Sequence, residues 1–206
     1  MDAEITRAMI VNWALIDLGH PASFTDDAND QLGGIVDLVW PRVVERTFGL
    51  HDWTFCRRTT KLVRLDETPQ TGWKHAFTLP GDRIGDPLKL LPDPRREAPL
   101  RDFQIEGDEV HANVAEIWAR CRVNVDPRYW DPAFRAAFVT ALASALAVPL
   151  MQDEDTAATL HAKAFGSPSQ GGAGGEFWRL IAQNLASSPV GSPLTGYNVL
   201  VDARWG

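Results

Sequence analysis

Cysteine is too scarce to staple this chain: there are two in 206 residues, Cys56 and Cys121. Neither belongs to a CxxC pair, so a disulfide framework or a thiolate metal site has no support, and both read as small hydrophobes of a reduced protein. Positive charge is also short. Twenty Lys and Arg face 27 Asp and Glu, a net charge of −7, whereas gripping nucleic acid needs a basic surface. The five histidines (His20, His51, His75, His111 and His161) include no i, i+4 pair that could reach one metal from a helix face. His51 and Cys56 are close in sequence, but nothing completes a site around them. No GxSxG elbow occurs, so acyl transfer has no sequence support. The longest apolar run, Ala136 to Met151, is broken by Thr140, Ser144 and Pro149 and reads as too short for a bilayer. The acidic start Met1-Asp2-Ala3-Glu4 is not a signal peptide. These readings predict a soluble chain made in the cytoplasm, with no catalytic centre, metal or cofactor.

What is abundant is tryptophan: eight, against two tyrosines. Trp buries more area than any other side chain and serves cores and interfaces alike. Trp13, Trp40, Trp53, Trp73 and Trp130, with Phe134 and Phe138, are the expected structural anchors. Ile5, Met9, Trp13 and Ile16 recur at helical spacing and predict a helix over 3–18, stopped by Gly19-His20-Pro21. Asp26 or Asp27 can cap a second helix over 27–48, in which Pro41 predicts a kink or restart. At Thr54 the period drops to two. Strands are expected over 54–65, 73–79, 100–105, 109–112 and 116–123, with a turn at Glu106-Gly107-Asp108. The proline-rich stretch 80–99 reads as a loop. Asp131 at the N-cap and Pro132 behind it start a helix over 131–149, with a Phe134, Phe138, Leu142, Leu146 stripe and seven alanines that let neighbours approach closely. A last helical region spans 153–186, interrupted by a Gly-rich loop. The fold class is therefore α+β, mainly α: a helical bundle over 1–186 with a small antiparallel β unit inserted at about 54–123. An extended tail, 187–206, follows.

Several segments invite chemistry and decline it. Gly171 to Gly175 lacks both the GxGxxG spacing and the Lys-Ser/Thr ending of a phosphate loop, and reads as flexible linker. Asp153, Glu154 and Asp155 complement a helix N-terminus. Arg57, Arg58, Lys61 and Arg64 form one basic strand. It could face DNA or an acidic partner, or be a solvated edge kept soluble by its charge. In the tail, Tyr197, Val199 and Val201 alternate along one face of an extended segment, followed by Arg204 and Trp205, residue types favoured at interface centres. This stretch is the candidate partner-docking element.

The order of these pieces resembles the head–tail adaptor (connector) family of tailed phages and gene transfer agents, including the tail tubular protein A type. The matching segments are Ile10 to Gly19, Ser23-Phe24-Thr25-Asp26-Asp27, and Val36 to Phe55 ending in His51-Asp52-Trp53-Thr54-Phe55. Gly72 to Asp82 (with Trp73 and Leu79-Pro80) and Trp130-Asp131-Pro132-Ala133-Phe134 complete the set, which spans roughly residues 8–165. Pro41 after Trp40 and the Gly-rich stretch 166–175 depart from the family pattern. The resemblance implies a non-enzymatic virion protein at the head–tail junction, assembled in the host cytoplasm as a ring of about twelve copies. Its partners would be the portal protein, a tail or stopper protein and itself. DNA would pass through the ring without specific binding, and no membrane is involved. Two other classes compete: a non-viral helical protein-binding or regulatory module, and a small hydrolase, which would need a polar pocket with a carboxylate–His pair.

Overall fold

Five helices and seven short strands make up the structure, a computed structural model that describes residues 4–27, 30–96, 98–167 and 174–187. Helix α1 (Arg7–Asp17) starts later than its apolar periodicity predicts because Thr6 caps it, its hydroxyl accepting from Met9 N at 3.3 Å. Gly19, at φ +75°, closes it, and His20 N–H reaches back to the Leu15 carbonyl. The Asn12 carboxamide then both donates to and accepts from the Phe24 backbone at 2.9 Å, fixing the loop that buries Phe24. Helix α2 (Gln31–Gly49) is capped by Asp30, which accepts from Gly33 N at 2.7 Å, not by Asp26 or Asp27. It runs through Pro41 as one helix rather than restarting. Its buried stripe, Val36, Val39, Val43, Val44 and Phe48, lies on both sides of the proline, so packing offsets the missing donor.

Seven strands follow before the next helix: β1 (Arg57–Lys61), β2 (Val63–Arg64), β3 (His75–Thr78), β4 (Lys89–Leu91), β5 (Phe103–Glu106), β6 (Glu109–Ala112) and β7 (Trp118–Arg122). They form two antiparallel sheets, in the orders β1-β7-β4 and β2-β3-β6-β5. The stretch expected as a single strand, 54–65, is divided. Thr54–Cys56 is a 3-10 turn, with Cys56 N–H on the Trp53 carbonyl. Buried Leu62 donates its N–H to the Ile117 carbonyl between β1 and β2. Strand β4 lies where the prolines predict only loop. Pro87 and Pro92 flank it rather than enter it, and Leu90 and Leu91 are buried. Gly107, at φ +58°, makes the predicted tight turn between β5 and β6.

Helix α3 (Pro132–Met151) begins as the sequence predicts, Asp131 accepting from Ala133 N and Phe134 N. It runs past Pro149 and ends at Gln152 in the left-handed conformation. Helix α4 (Glu154–Phe165) is capped by Asp153, which accepts from Thr156 N at 2.9 Å and from its hydroxyl at 2.7 Å. Helix α5 is Glu176–Ser187. The fold class is thus mixed α+β, mainly α.

The described chain divides into two compact units, residues 4–58, 81–88 and 121–187 in one, 59–80 and 89–120 in the other. All five helices belong to the first. There α3 is the central element, packed by α1, α2, α4 and α5. It is long and apolar enough to cross a membrane, contrary to the expected shortness. Most of its apolar side chains are instead buried among the other helices: Phe134, Phe138, Leu142 and Leu146 are all at most 1% exposed, while Val148 and Met151 near its end are exposed. Around its first two turns stands an aromatic cluster. Trp40 stacks on Trp130 at 5.9 Å, Phe138 meets Trp130 at 4.6 Å, and Phe134 meets Phe55 at 4.8 Å and Phe48 at 5.4 Å, edge to face. The buried indoles keep their hydrogen bonds, Trp53 Nε1–H to the Thr47 carbonyl at 2.9 Å and Trp130 Nε1–H to the Val125 carbonyl at 2.8 Å.

Replacing Phe138, which is fully buried, by Ala should destabilise the protein by about 3–5 kcal/mol. Leu38→Ala, at a site 74% exposed, should change it by less than about 0.5 kcal/mol. Urea denaturation of both variants gives the comparison, and equal midpoints would contradict the central placement of α3.

Candidate interaction surfaces

Three of the four basic-strand residues already hold acidic partners drawn from elsewhere in the chain. Arg57 grips Asp52 with both Nε and Nη2 at 2.9 Å, Arg58 meets Asp82 at 2.5 Å, and Lys61 meets Glu116 at 2.5 Å with its ammonium 5.3 Å from the Trp118 ring centre. The hydrogen bond from Arg58 holds the Asp82 carboxyl below the usual carboxylate range. Only Arg64 is exposed without an acidic partner among the described residues. The strand is therefore a charge-balanced surface rather than a cationic stripe. Sequence reasoning misses this because every partner lies outside the run.

The anchors divide. Trp53, Trp130, Phe134 and Phe138 are buried, and Trp13 and Trp40 pack against the same core from partly buried positions. Trp73 is different: it lies ahead of β3 next to Gly72, at φ +86°, half-buried, with its indole N–H on Gln104 Oε1 at 3.1 Å. The residues Tyr197, Val199, Val201, Arg204 and Trp205 lie outside the described residues. Phe55, which closes the His51-to-Phe55 element, joins the aromatic cluster, as do Phe48 and Phe177, which the sequence pattern does not mark as anchors.

The cysteines are free and buried. Burial pushes the Cys56 thiol up to about 11, and raises Cys121 as well. Among the described residues no group of His, Cys, Asp and Glu could hold a metal ion.

One constellation does have the outline of a proton relay. Within the smaller unit, buried His111 on β6 sits between the Thr71 hydroxyl, 3.0 Å from Nδ1, and the Glu109 carboxylate, 3.1 Å from Nε2. This is the carboxylate–His pair that a hydrolase would require. Its setting opposes that chemistry. The adjoining cleft, about 620 Å³, is also lined by Glu67, Glu106 and Asp108. Carboxylates sharing the cleft with a developing oxyanion would oppose its negative charge. Position explains the pair without catalysis: Glu109 and His111 are two apart on one strand and so share a face.

Two further surfaces of the helical unit bear on association. On α5, Phe177, Leu180 and Ile181 face the core, while Trp178 (54% exposed) and Leu185 (62%) stand outward, seven residues apart on one face. Between α2, α3 and α4 lies an open groove of about 430 Å³. Val39 and Val43 wall it from α2, Ala141, Ser144, Ala145 and Pro149 from α3, and Ala157, Ala158 and Phe165 from α4. Arg42, Arg46 and His161 also line it. The Arg46 guanidinium lies 4.0 Å from the Phe165 ring centre and donates to His161 Nε2 at 2.8 Å. That hydrogen bond needs an unprotonated nitrogen, and burial together with the Arg46 charge holds the imidazole below its ordinary value. The i, i+4 spacings of Arg42 with Arg46 and of His161 with Phe165 could have pointed to this groove from the sequence.

Comparison with protein-family models and with curated proteins finds no match to this chain.

Both thiols should resist a disulfide reagent at pH 8 in the folded protein and react promptly in denaturant. Because the folded Cys56 pKa is raised, its contribution to stability is intact below the unfolded value, near 9, and is lost as pH climbs through about 11. Thiol release measured across that range checks both statements, and fast native reactivity at pH 8 would contradict them.

Proposed function

We propose that this chain is a structural virion protein, the subunit of a head–tail adaptor ring that binds beneath the portal, extends the DNA channel and offers the platform for tail attachment. In this reading it is not an enzyme and carries no cofactor. The observation that carries the proposal is the order of its parts: two helices, a β insertion, then a central alanine-rich helix and two more. The sequence elements that resemble the adaptor family, Asp52-Trp53-Thr54-Phe55 and Trp130-Asp131-Pro132, sit at the two junctions and pack into one aromatic cluster. The finer architecture belongs to the same proposal: a helical bundle over 1–186, the β insertion at about 54–123, and a docking tail over 187–206.

Physical features support it. A closed ring needs two different faces per subunit, and the α5 ridge, with Trp178 and Leu185 exposed, offers an apolar surface for one of them. An acidic subunit lining a channel would repel phosphate, so DNA could slide without sticking. The paired basic strand leaves little free positive charge to grip it. The tail residues Tyr197, Val199, Val201, Arg204 and Trp205 would dock on the portal or an adjacent subunit by strand addition.

Particles made without this protein should package DNA yet leak it or fail to acquire tails. Normal infectious particles from a clean deletion would overturn the assignment. In imaging of purified protein mixed with portal, the wild type should add a ring to the portal. The double variant Trp178→Glu, Leu185→Glu should keep its helical content and lose the ring, since both side chains are solvent-exposed. Deleting residues 190–206 should likewise leave the helices intact while weakening incorporation into particles, and unchanged incorporation would remove the docking role from the tail.

A further inference from the structure

We infer that the groove between α2, α3 and α4 is a docking site for an acidic amphipathic helix of a partner protein. The groove runs between two helices over a third, and small side chains, Ala141, Ala145, Ala157 and Ala158, line it. Such side chains let a further helix approach closely. Val39 and Val43 are buried beneath the groove, and exposed Pro149 and Ala158 with half-buried Ala145, Ala157 and Phe165 supply the apolar surface an amphipathic helix would cover.

Charge selects the partner. The chain is acidic overall, yet Arg42 and Arg46 both face the groove and neither has a carboxylate partner among the described residues. Elsewhere in the same unit Arg7, Arg57, Arg58 and Arg128 each hold an acid, and Arg122 and Arg135 donate to backbone carbonyls. Arg46 is held by Phe165 and His161 instead, contacts that orient its guanidinium without neutralising it. A cation pair one helical turn apart, beside an apolar trough, matches a helix with carboxylates at i and i+4 along one flank. The groove residues themselves carry this inference, and it stands whether or not the chain builds a ring.

The test uses the full chain, isotopically labelled, and a blocked synthetic helix with a Leu/Ala face and a flank of Glu at i, i+4 spacing. Expected are saturable shifts at Val43, Ala145, Ala157 and His161. The peptide should also raise the His161 pKa. Of the groups facing that imidazole, Arg42 and Arg46 from α2 are positive and the α3 wall is uncharged, so an added carboxylate stabilises imidazolium.

Arg42→Glu, at an exposed position, should weaken binding roughly five- to tenfold. A peptide with Lys in place of Glu should prefer that variant to the wild type, and Arg42→Gln should fall between them. Absence of shifts at millimolar peptide, shifts confined to other faces, or equal binding to wild type and Arg42→Glu would each overturn the inference. So would inorganic sulfate shifting the same residues as strongly, which would mark a small-anion site. Concentration-dependent self-association abolished by Arg42→Glu would replace the partner with a second copy.

Discussion

Burial of the middle turns of α3 among the other helices is the constraint from which the rest of the helical unit follows. Phe134, Phe138, Leu142 and Leu146 make one stripe, but Ala137, Ala141, Ala143 and Ala147 are equally buried on others. A helix without a polar face cannot lie on a surface, so it must be surrounded. Helices α1, α2, α4 and α5 supply that surround, each presenting an apolar side inward. Its start is fixed chemically. Asp131 caps the first turn, Pro132 needs no donor there, and the indole of Trp130 is tied to the Val125 carbonyl. That register sets Phe134 and Phe138 among the rings of Trp40, Phe48, Trp53 and Phe55. Each such edge-to-face pair adds about 0.5–1.5 kcal/mol beyond its buried area.

The elements legible in the sequence are those whose signals are local. The Asp131-Pro132 start, the Gly19 stop and the Gly107 turn were readable because caps and left-handed positions depend on a few neighbouring residues. Starts set by competing caps were less so: Thr6 and Asp30 shorten α1 and α2 by ending the extended chain later than hydrophobic spacing suggests. Pro41 misled because a helix tolerates it when the apolar stripe continues on both sides. The sheets were legible as strand character but not as partition. Leu62 looks like one more strand residue, and only its hydrogen bond to Ile117 reveals where pairing switches from β7 to β3. Strand β4, three residues long, is too short for alternation to register.

Sites were less legible than elements, for a reason of range. Arg57, Arg58 and Lys61 form a basic run in sequence, but Asp52, Asp82 and Glu116 neutralise it from 5 to 55 positions away. The converse holds for Arg42 and Arg46, which look unremarkable in an acidic chain until it is seen that no carboxylate among the described residues pairs with either. Sequence counts charges, whereas function depends on which charges remain unpaired after folding. His111 makes the same point for chemistry. Its contact with Thr71 spans 40 positions, and no spacing rule would have joined them.

Geometry alone would read Thr71, His111 and Glu109 as nucleophile, base and orienter. The surrounding carboxylates weigh against it, because acyl transfer develops negative charge and the same cleft is also lined by Glu67, Glu106 and Asp108. Electrostatic sign thus separates a relay that resembles a catalytic one from a relay that could work as one. The same reasoning gives weight to the other surfaces. The α5 ridge exposes a tryptophan and a leucine, and the α2–α3–α4 groove holds two cations with no carboxylate partner among the described residues. Each retains an interaction that the described chain does not satisfy, apolar area in one case and charge in the other. Association with another surface would satisfy both.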